Sequence, residues 1–240
     1  MENEKGQPGT VIVTGSSKGI GKAIAEKFAA EGKMVLLCAR NEANLLQTAA
    51  ELQQQYKNAH IKTFKADLSE KSEAAAFGEW CLQQGVPEIL VNNAGFYLPG
   101  NLYDEPEGNL EKMMNTNFFS AYYLTRALMP AMMQKGKGHI FNICSVASRQ
   151  AYEGGGSYSV SKFALNGFSQ NLRNELKQTG IKVTAVFPGA VMTESWGNFD
   201  NSSNRIMEAA DVAAMVWAAS KLSAQAVVEE IVMRPLLGDL

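Results

Sequence analysis

The chain has 240 residues, enough for one large domain, and 46% of them are hydrophobic, as a folded core requires. With 22 basic residues against 24 acidic ones the formal net charge is -2, which gives no electrostatic ground for a nucleic acid or an anionic membrane as partner. Three scattered cysteines (Cys38, Cys81, Cys144) and two histidines (His60, His139) lack the spacing of a zinc site, so no metal is expected.

The chain opens on MENEKGQPG, which is polar, short and unlike a signal peptide or a membrane span, and reads as a tail over residues 1–9. The cysteines stand in apolar surroundings that suit buried, reduced thiols, and a cytoplasmic protein is expected. Both histidines read as surface or strand-end residues.

From residue 10 onward apolar runs and amphipathic stretches take turns. Strands are predicted at 10–14 (TVIVT), 34–39 (MVLLCA), 61–66 (IKTFKA), 88–93 (EILVNN), 139–145 (HIFNICS), 182–188 (KVTAVFP) and 227–233 (VVEEIVM). Helical patterns fall near 18–31, 41–57, 69–84, 108–135, 157–179 and 208–222. Strands separated by helices of that length pair in parallel and are covered on both faces, so the fold class is α/β, a doubly wound seven-stranded parallel sheet in one domain over 10–240. Only 189–207, rich in Gly, Asn and Ser and carrying Trp196 and Phe199, lacks a pattern; it is expected to be a substrate lid.

Three stretches carry chemistry. TGSSKGIG, Thr14 to Gly21, follows the first strand and opens the first helix, where an open parallel sheet binds a pyrophosphate on backbone N–H groups. Its glycines are spaced GxxxGxG, and a tight strand-to-helix turn alone would also use them. At the end of the second strand the sequence reads CAR: Ala39 leaves no carboxylate to repel a 2′-phosphate, Arg40 can grip one bidentately and Lys18 adds a second positive charge. That favours NADP(H), unless both cations are merely solvated. YSVSK places Tyr158 and Lys162 four residues apart, on one side of a helix, and the spacing alone leaves open whether they act together.

TGSSKGIG, ADLS, NNAG, the serine of NICS and YSVSK, in this order from Thr10 to about Thr193, resemble the short-chain dehydrogenase/reductase family, whose fold is Rossmann-like. The resemblance implies that Tyr158 is the proton donor and that Lys162 is its electrostatic helper and a ligand of the nicotinamide ribose. It also implies that Ser145 meets the substrate carbonyl and that Asn117 holds a proton-relay water. For the cofactor it implies Gly15, Ser17, Lys18, Gly19, Ile20 and Gly21 at the first turn, with Arg40 at the ribose. Asp67 and Leu68 fall at the adenine, Asn93, Ala94 and Gly95 on the adenosine side, and Pro188, Gly189, Val191 and Thr193 at the nicotinamide end. NNAG would serve equally as a strand-end turn that stabilises the sheet.

The chemistry asks for these residue types. Hydride delivery to a carbonyl leaves a developing alkoxide that needs a proton and hydrogen bonds, and a phenol with a reference pKa near 10 needs a neighbouring cation to give up its proton readily. A serine-hydrolase reading of Ser145 lacks a GxSxG elbow and a placed histidine. The stretches GAVMTESWGNFDN and AVVEEIVMRPLLGDL resemble the bacterial sepiapterin-reductase-like branch, which implies a ketone or dicarbonyl substrate. A 3-oxoacyl-carrier-protein reductase is the alternative, and a non-catalytic NADP(H)-sensing module a different class. Trp196 could stack on a flat substrate or only anchor the lid, and Asp239 could meet a pterin edge or be solvated. The apolar MMNTNFFSAYYLTRALMPAMM segment suggests a homodimer or homotetramer face, or intrachain core.

Overall fold

The computed structural model describes residues 9–239; the tail expected over 1–9 lies, apart from Gly9, outside them. Seven strands form one sheet: β1 (Thr10–Thr14), β2 (Met34–Ala39), β3 (His60–Lys65), β4 (Ile89–Asn92), β5 (Gly138–Ile143), β6 (Ile181–Pro188) and, after a two-strand excursion, β9 (Glu230–Met233). Their order is β3-β2-β1-β4-β5-β6-β9 with every pair parallel. Helices α1 (Gly19–Ala30), α2 (Glu42–Gln55), α3 (Lys71–Gln84), α4 (Asn109–Met114), α5 (Ser120–Lys135), α6 (Gly156–Leu176) and α7 (Ala209–Ser220) make the crossovers and flank the sheet.

The two-residue period of a strand explains the two cores. In β1 the side chains of Val11 and Val13 point to one face, where they join Ile24 and Phe28 of α1 and Val212 and Val216 of α7. Ile12 points to the other face, among Phe77 of α3 and Leu124 and Leu128 of α5. Strands covered on both sides are buried at every position, as β1 and β5 are, and they are mostly apolar, with the polar exceptions hydrogen-bonded. Each fully buried Ile, Leu, Phe or Val contributes about 1.5 to 3 kcal/mol.

Three departures from the expected elements have physical causes. The long helix expected over 108–135 is two helices joined by a π-helical turn, Asn115–Phe119, and Pro130 sits within α5. The last strand is four residues rather than seven: upstream of it the Val228 carbonyl is taken by the Thr184 hydroxyl at 2.5 Å and no ladder forms there. The segment 189–207 is ordered rather than patternless, with β7 (Val191–Met192) pairing in parallel with β8 (Met207–Glu208) and a 3-10 turn at Glu194–Trp196. Met113, Leu124, Leu128 and Met132 are fully buried within the chain, so that much of the segment expected as an oligomer face is intrachain core. Among the described residues no helix is long and apolar enough to cross a membrane, and no group of acidic, His or Cys side chains could hold a metal ion.

A ladder of polar side chains crosses the sheet centre. Asn92 Nδ2 donates to Thr125 Oγ1 at 2.9 Å and to Asn142 Oδ1 at 2.8 Å, and Asn142 Nδ2 donates to Ser169 Oγ at 2.8 Å. It ties β4 and β5 to α5 and α6, with Asn92 and Asn142 in register. The first asparagine of NNAG therefore belongs to the sheet.

His139 begins β5 and is only 5% exposed, so it is a strand-end residue that is also buried. Its Nε2 lies 2.7 Å from Thr184 Oγ1, its ring stacks on Phe141 with centroids 3.9 Å apart, and its Nδ1 has no partner among the described residues. Burial, with the Lys182 charge added, pulls its pKa from 6.5 to about 3. The unfolded chain thus binds a proton in that interval that the native chain does not, and stability falls as pH falls below the unfolded value. Between pH 7 and 5 this residue is expected to cost the fold about 2 kcal/mol. Urea titrations should show that part of the pH dependence missing in His139→Gln; identical profiles for both proteins would contradict it.

Candidate active site

Strand order reverses between β1 and β4, and the chain leaves these neighbours toward opposite ends of the sheet, opening a crevice at their carboxyl ends. The crevice is held by Thr14 and Asn93. Thr14 Oγ1 accepts from the N–H groups of Asn93 and Ala94, each at 2.9 Å, and Asn93 Nδ2 donates to the carbonyls of Thr14 and Gly15 at 2.9 and 3.1 Å. Gly15 takes φ +61°, and a Cβ at Gly21 would lie 2.3 Å from the Gly15 carbonyl oxygen, so both positions need glycine for the turn itself. Ser16 Oγ closes the other side, accepting from Cys38 N at 3.1 Å. No side chain caps the start of α1, so its first N–H groups open toward the crevice.

From that turn a cleft of about 510 Å³ runs in both directions. At one end it is lined by Arg40, Asp67, Leu68 and Asn44, at the middle by Ser17, Lys18, Gly19 and Ile20, and at the other end by Gly95, Tyr97, Tyr158 and Lys162. Arg40 Nη1 lies 3.7 Å from Asp67 Oδ2, a loose pair whose guanidinium is 60% exposed. Burial would raise the Asp67 pKa, but the Ser69 hydroxyl and N–H, with Arg40 behind them, more than offset it and hold the carboxyl below the usual range.

At the far end α6 presents Tyr158 and Lys162 on successive turns, with the Lys162 ammonium 5.8 Å from the phenol ring centroid. Lys162 Nζ donates to the Ile143 carbonyl at 2.8 Å, and burial lowers its pKa to about 8. Burial pushes the Tyr158 phenol up to about 12; the Ser145 hydroxyl opposes the shift, and Cys144 and Tyr97 add to it. Ser145 caps a 3-10 turn, its oxygen accepting from Ala147 N at 3.1 Å, which leaves the hydroxyl proton to be donated elsewhere.

The expected residues do not all converge. Asn117 sits in the π-helical turn and both of its amide protons are taken, one by the Phe96 carbonyl at 3.0 Å and one by Ser161 Oγ at 2.9 Å, while its oxygen accepts from Phe96 N at 2.9 Å. Its side chain braces the loop after β4. Thr193 lines the cleft, but Val191 is core, and Gly189 faces the C-terminal segment, where a Cβ would lie 2.7 Å from Asp239 Oδ1; Pro188 ends β6 behind it. Trp196 does not line the cleft: its indole donates to the Val191 carbonyl at 2.8 Å and packs on Phe199, centroids 5.1 Å apart, anchoring its own segment. The Asp239 carboxylate is paired with Arg234.

Tyr97 joins the site as well. It stands edge-on to Tyr158, with ring centroids 5.0 Å apart at 75°, and its hydroxyl donates to the Gly154 carbonyl at 3.2 Å. Its only sequence sign is an aromatic two residues beyond the glycine of NNAG. Thr14 and Ser16 lie within TGSSKGIG, but nothing in that motif signals which backbone groups their hydroxyls meet.

A family model described as short chain dehydrogenase matches residues 9–204. A sepiapterin reductase of Chlorobaculum tepidum is 34% identical over 239 residues, covering 96% of this chain and 97% of that protein. A diacetyl reductase, (S)-acetoin forming, of Staphylococcus epidermidis is 34% identical over 205 residues, covering 85% of this chain and 79% of its own. Among solved structures, a metagenomic short-chain oxidoreductase in complex with NADP has a TM-score of 0.83 at 31% identity, covering 95% of this chain and 97% of that one.

Thr14→Val keeps the side-chain shape and strands the N–H groups of Asn93 and Ala94. A loss of about 1 to 3 kcal/mol is expected in urea unfolding; an unchanged midpoint would mean those amides do not depend on Thr14.

Proposed function

The chain belongs to the short chain dehydrogenase family and is an oxidoreductase, and from that premise we propose that it reduces a ketone or dicarbonyl of sepiapterin-like or diacetyl-like type to an alcohol, with NADP(H) as cofactor and Tyr158 as proton donor. One observation carries the reading: a single cleft joins Arg40, the uncapped start of α1 and the Tyr158–Lys162 face of α6.

The residues present fit a phosphorylated dinucleotide. The uncapped N–H groups of α1 suit its diphosphate, and Arg40, loosely paired and largely exposed, is free to turn to a 2′-phosphate. A Cβ at Gly95 would fall 3.1 Å from Asn117 Oδ1 and 3.5 Å from Lys162 Nζ, so glycine keeps open the space beside the ammonium. Bound there, NADPH supplies the hydride that turns a carbonyl carbon into an alkoxide carbon.

The protein's own part is to meet the oxygen. The carbonyl π pair becomes an oxygen lone pair, and that lone pair takes the phenol proton of Tyr158, leaving a phenolate that regains its proton from solvent. Ser145 donates its hydroxyl proton to the same oxygen as charge develops. A phenol raised to about 12 is fully protonated at neutral pH but reluctant to ionise. The Lys162 ammonium, 5.8 Å from the ring centroid, favours the phenolate over the phenol and so works against burial. Both side chains stand on one rigid helix, so no search precedes the transfer.

Tyr158→Phe should bind NADPH as the wild type does, by fluorescence titration, and lose at least about 100-fold in kcat. Turnover near the wild-type rate would remove Tyr158 from the reaction. Arg40→Ala should weaken NADPH by about tenfold or more and leave NADH nearly unaffected, each read as a dissociation constant; an equal effect on both cofactors would reject the 2′-phosphate assignment.

A further inference from the structure

We propose that Glu105 is a positioning residue for the proton donor: from the loop after β4 it caps the catalytic helix α6 and so fixes Tyr158 against Tyr97. The proposal deepens the oxidoreductase reading and rests on it. Helix α6 has no cap of its own, since Gly155 at its N-cap carries no side chain and its first turn holds no acid. The missing acceptor comes from 52 residues away. The Glu105 carboxylate accepts from the Ser157 hydroxyl through Oε1 and from the Ser157 N–H through Oε2, at 3.4 Å for the latter. Ser157 is fully buried and directly precedes Tyr158. A negative charge at a helix N-terminus is favourable in itself, and here it also sets where the first turn lies.

The rest of the contact is built for this approach. Gly156 takes φ +31°, and a Cβ there would lie 2.4 Å from the Gly100 carbonyl oxygen and 3.1 Å from Glu105 Oε2, so only glycine lets the two segments meet. Gly100 N and the Tyr97 hydroxyl both donate to the Gly154 carbonyl, at 3.1 and 3.2 Å, and Gly154 N donates to Asn101 Oδ1 at 3.3 Å. The loop that carries Tyr97 and the turn that carries Tyr158 thus form one body, and Glu105 is the carboxylate that bonds one to the other. Glu105 does not line the cleft, and it acts through Tyr158 rather than on a substrate.

The test compares Glu105→Ala, Glu105→Gln, Ser157→Ala and the Glu105→Ala/Ser157→Ala pair, with NADPH binding by fluorescence, steady-state turnover of diacetyl, and hydrogen exchange of the cofactor-free protein. Glu105→Ala should keep the NADPH dissociation constant within about twofold and lower kcat about tenfold or more, because a displaced proton donor costs chemistry rather than cofactor binding. Glu105→Gln, which still accepts from the Ser157 hydroxyl, should return kcat to within about threefold of wild type, and the double variant should be no worse than Glu105→Ala alone. Amides of 97–105 and 154–158 should exchange faster together in Glu105→Ala. Should that variant fold poorly, Glu105→Asp, too short to reach Ser157, carries the same expectation. Wild-type kcat in the alanine or aspartate variant, or faster exchange confined to one segment, would overturn the proposal. If the wild type reduces neither diacetyl nor sepiapterin, it is the substrate reading that fails, and the exchange comparison still decides Glu105.

Discussion

Two parallel strands that part in opposite directions leave their terminal amides without ladder partners, and in this protein the site exists because those amides are met by one hydroxyl. Thr14 accepts from Asn93 and Ala94, and Asn93 answers by donating to the carbonyls of Thr14 and Gly15. The exchange fixes β1 and β4 at their divergence and holds the glycine turn in the one shape that points the first N–H groups of α1 into the crevice. Buried amides have to be satisfied somewhere, and satisfying them here with side chains rather than solvent keeps the crevice open for a ligand.

The two ends of the cleft are built on different principles. Around Arg40 and Asp67 the charges are loosely paired and exposed, so they can exchange partners at little cost. Around Tyr158 and Lys162 burial dominates: it raises the phenol and lowers the ammonium, moving both toward their neutral forms. The same enclosure that disfavours isolated charge strengthens any charge interaction made there, which suits a site where an oxyanion forms only during turnover.

Much of this could be read in the sequence because periodicity and motif spacing are local signals. Seven apolar runs between amphipathic stretches gave the sheet, and TGSSKGIG, CAR, NNAG and YSVSK gave the residues that line the cleft from Arg40 to Lys162. What escaped was set by contacts between distant segments. Nothing around Asn117 signals that a π-helical turn will direct its amide at Phe96, and nothing near Trp196 tells an anchor bonded to Val191 from a ligand platform. Val191 and Gly189 sit in a motif that resembles the family's nicotinamide end, yet here they face the core and the C-terminal segment. The sequence places His139 at a strand end, whereas its burial depends on β6 beside it.

The π-helical turn at Asn115–Phe119 also constrains chain length. Such a turn holds one residue more than an α-turn, and each residue in a helix advances the side chains by roughly 100°. Removing one residue there would restore regular winding but swing Leu124, Leu128 and Met132 of α5 away from the sheet they cover. Substitutions in this stretch need only respect the chemistry of each position, while single-residue insertions and deletions are barred by geometry.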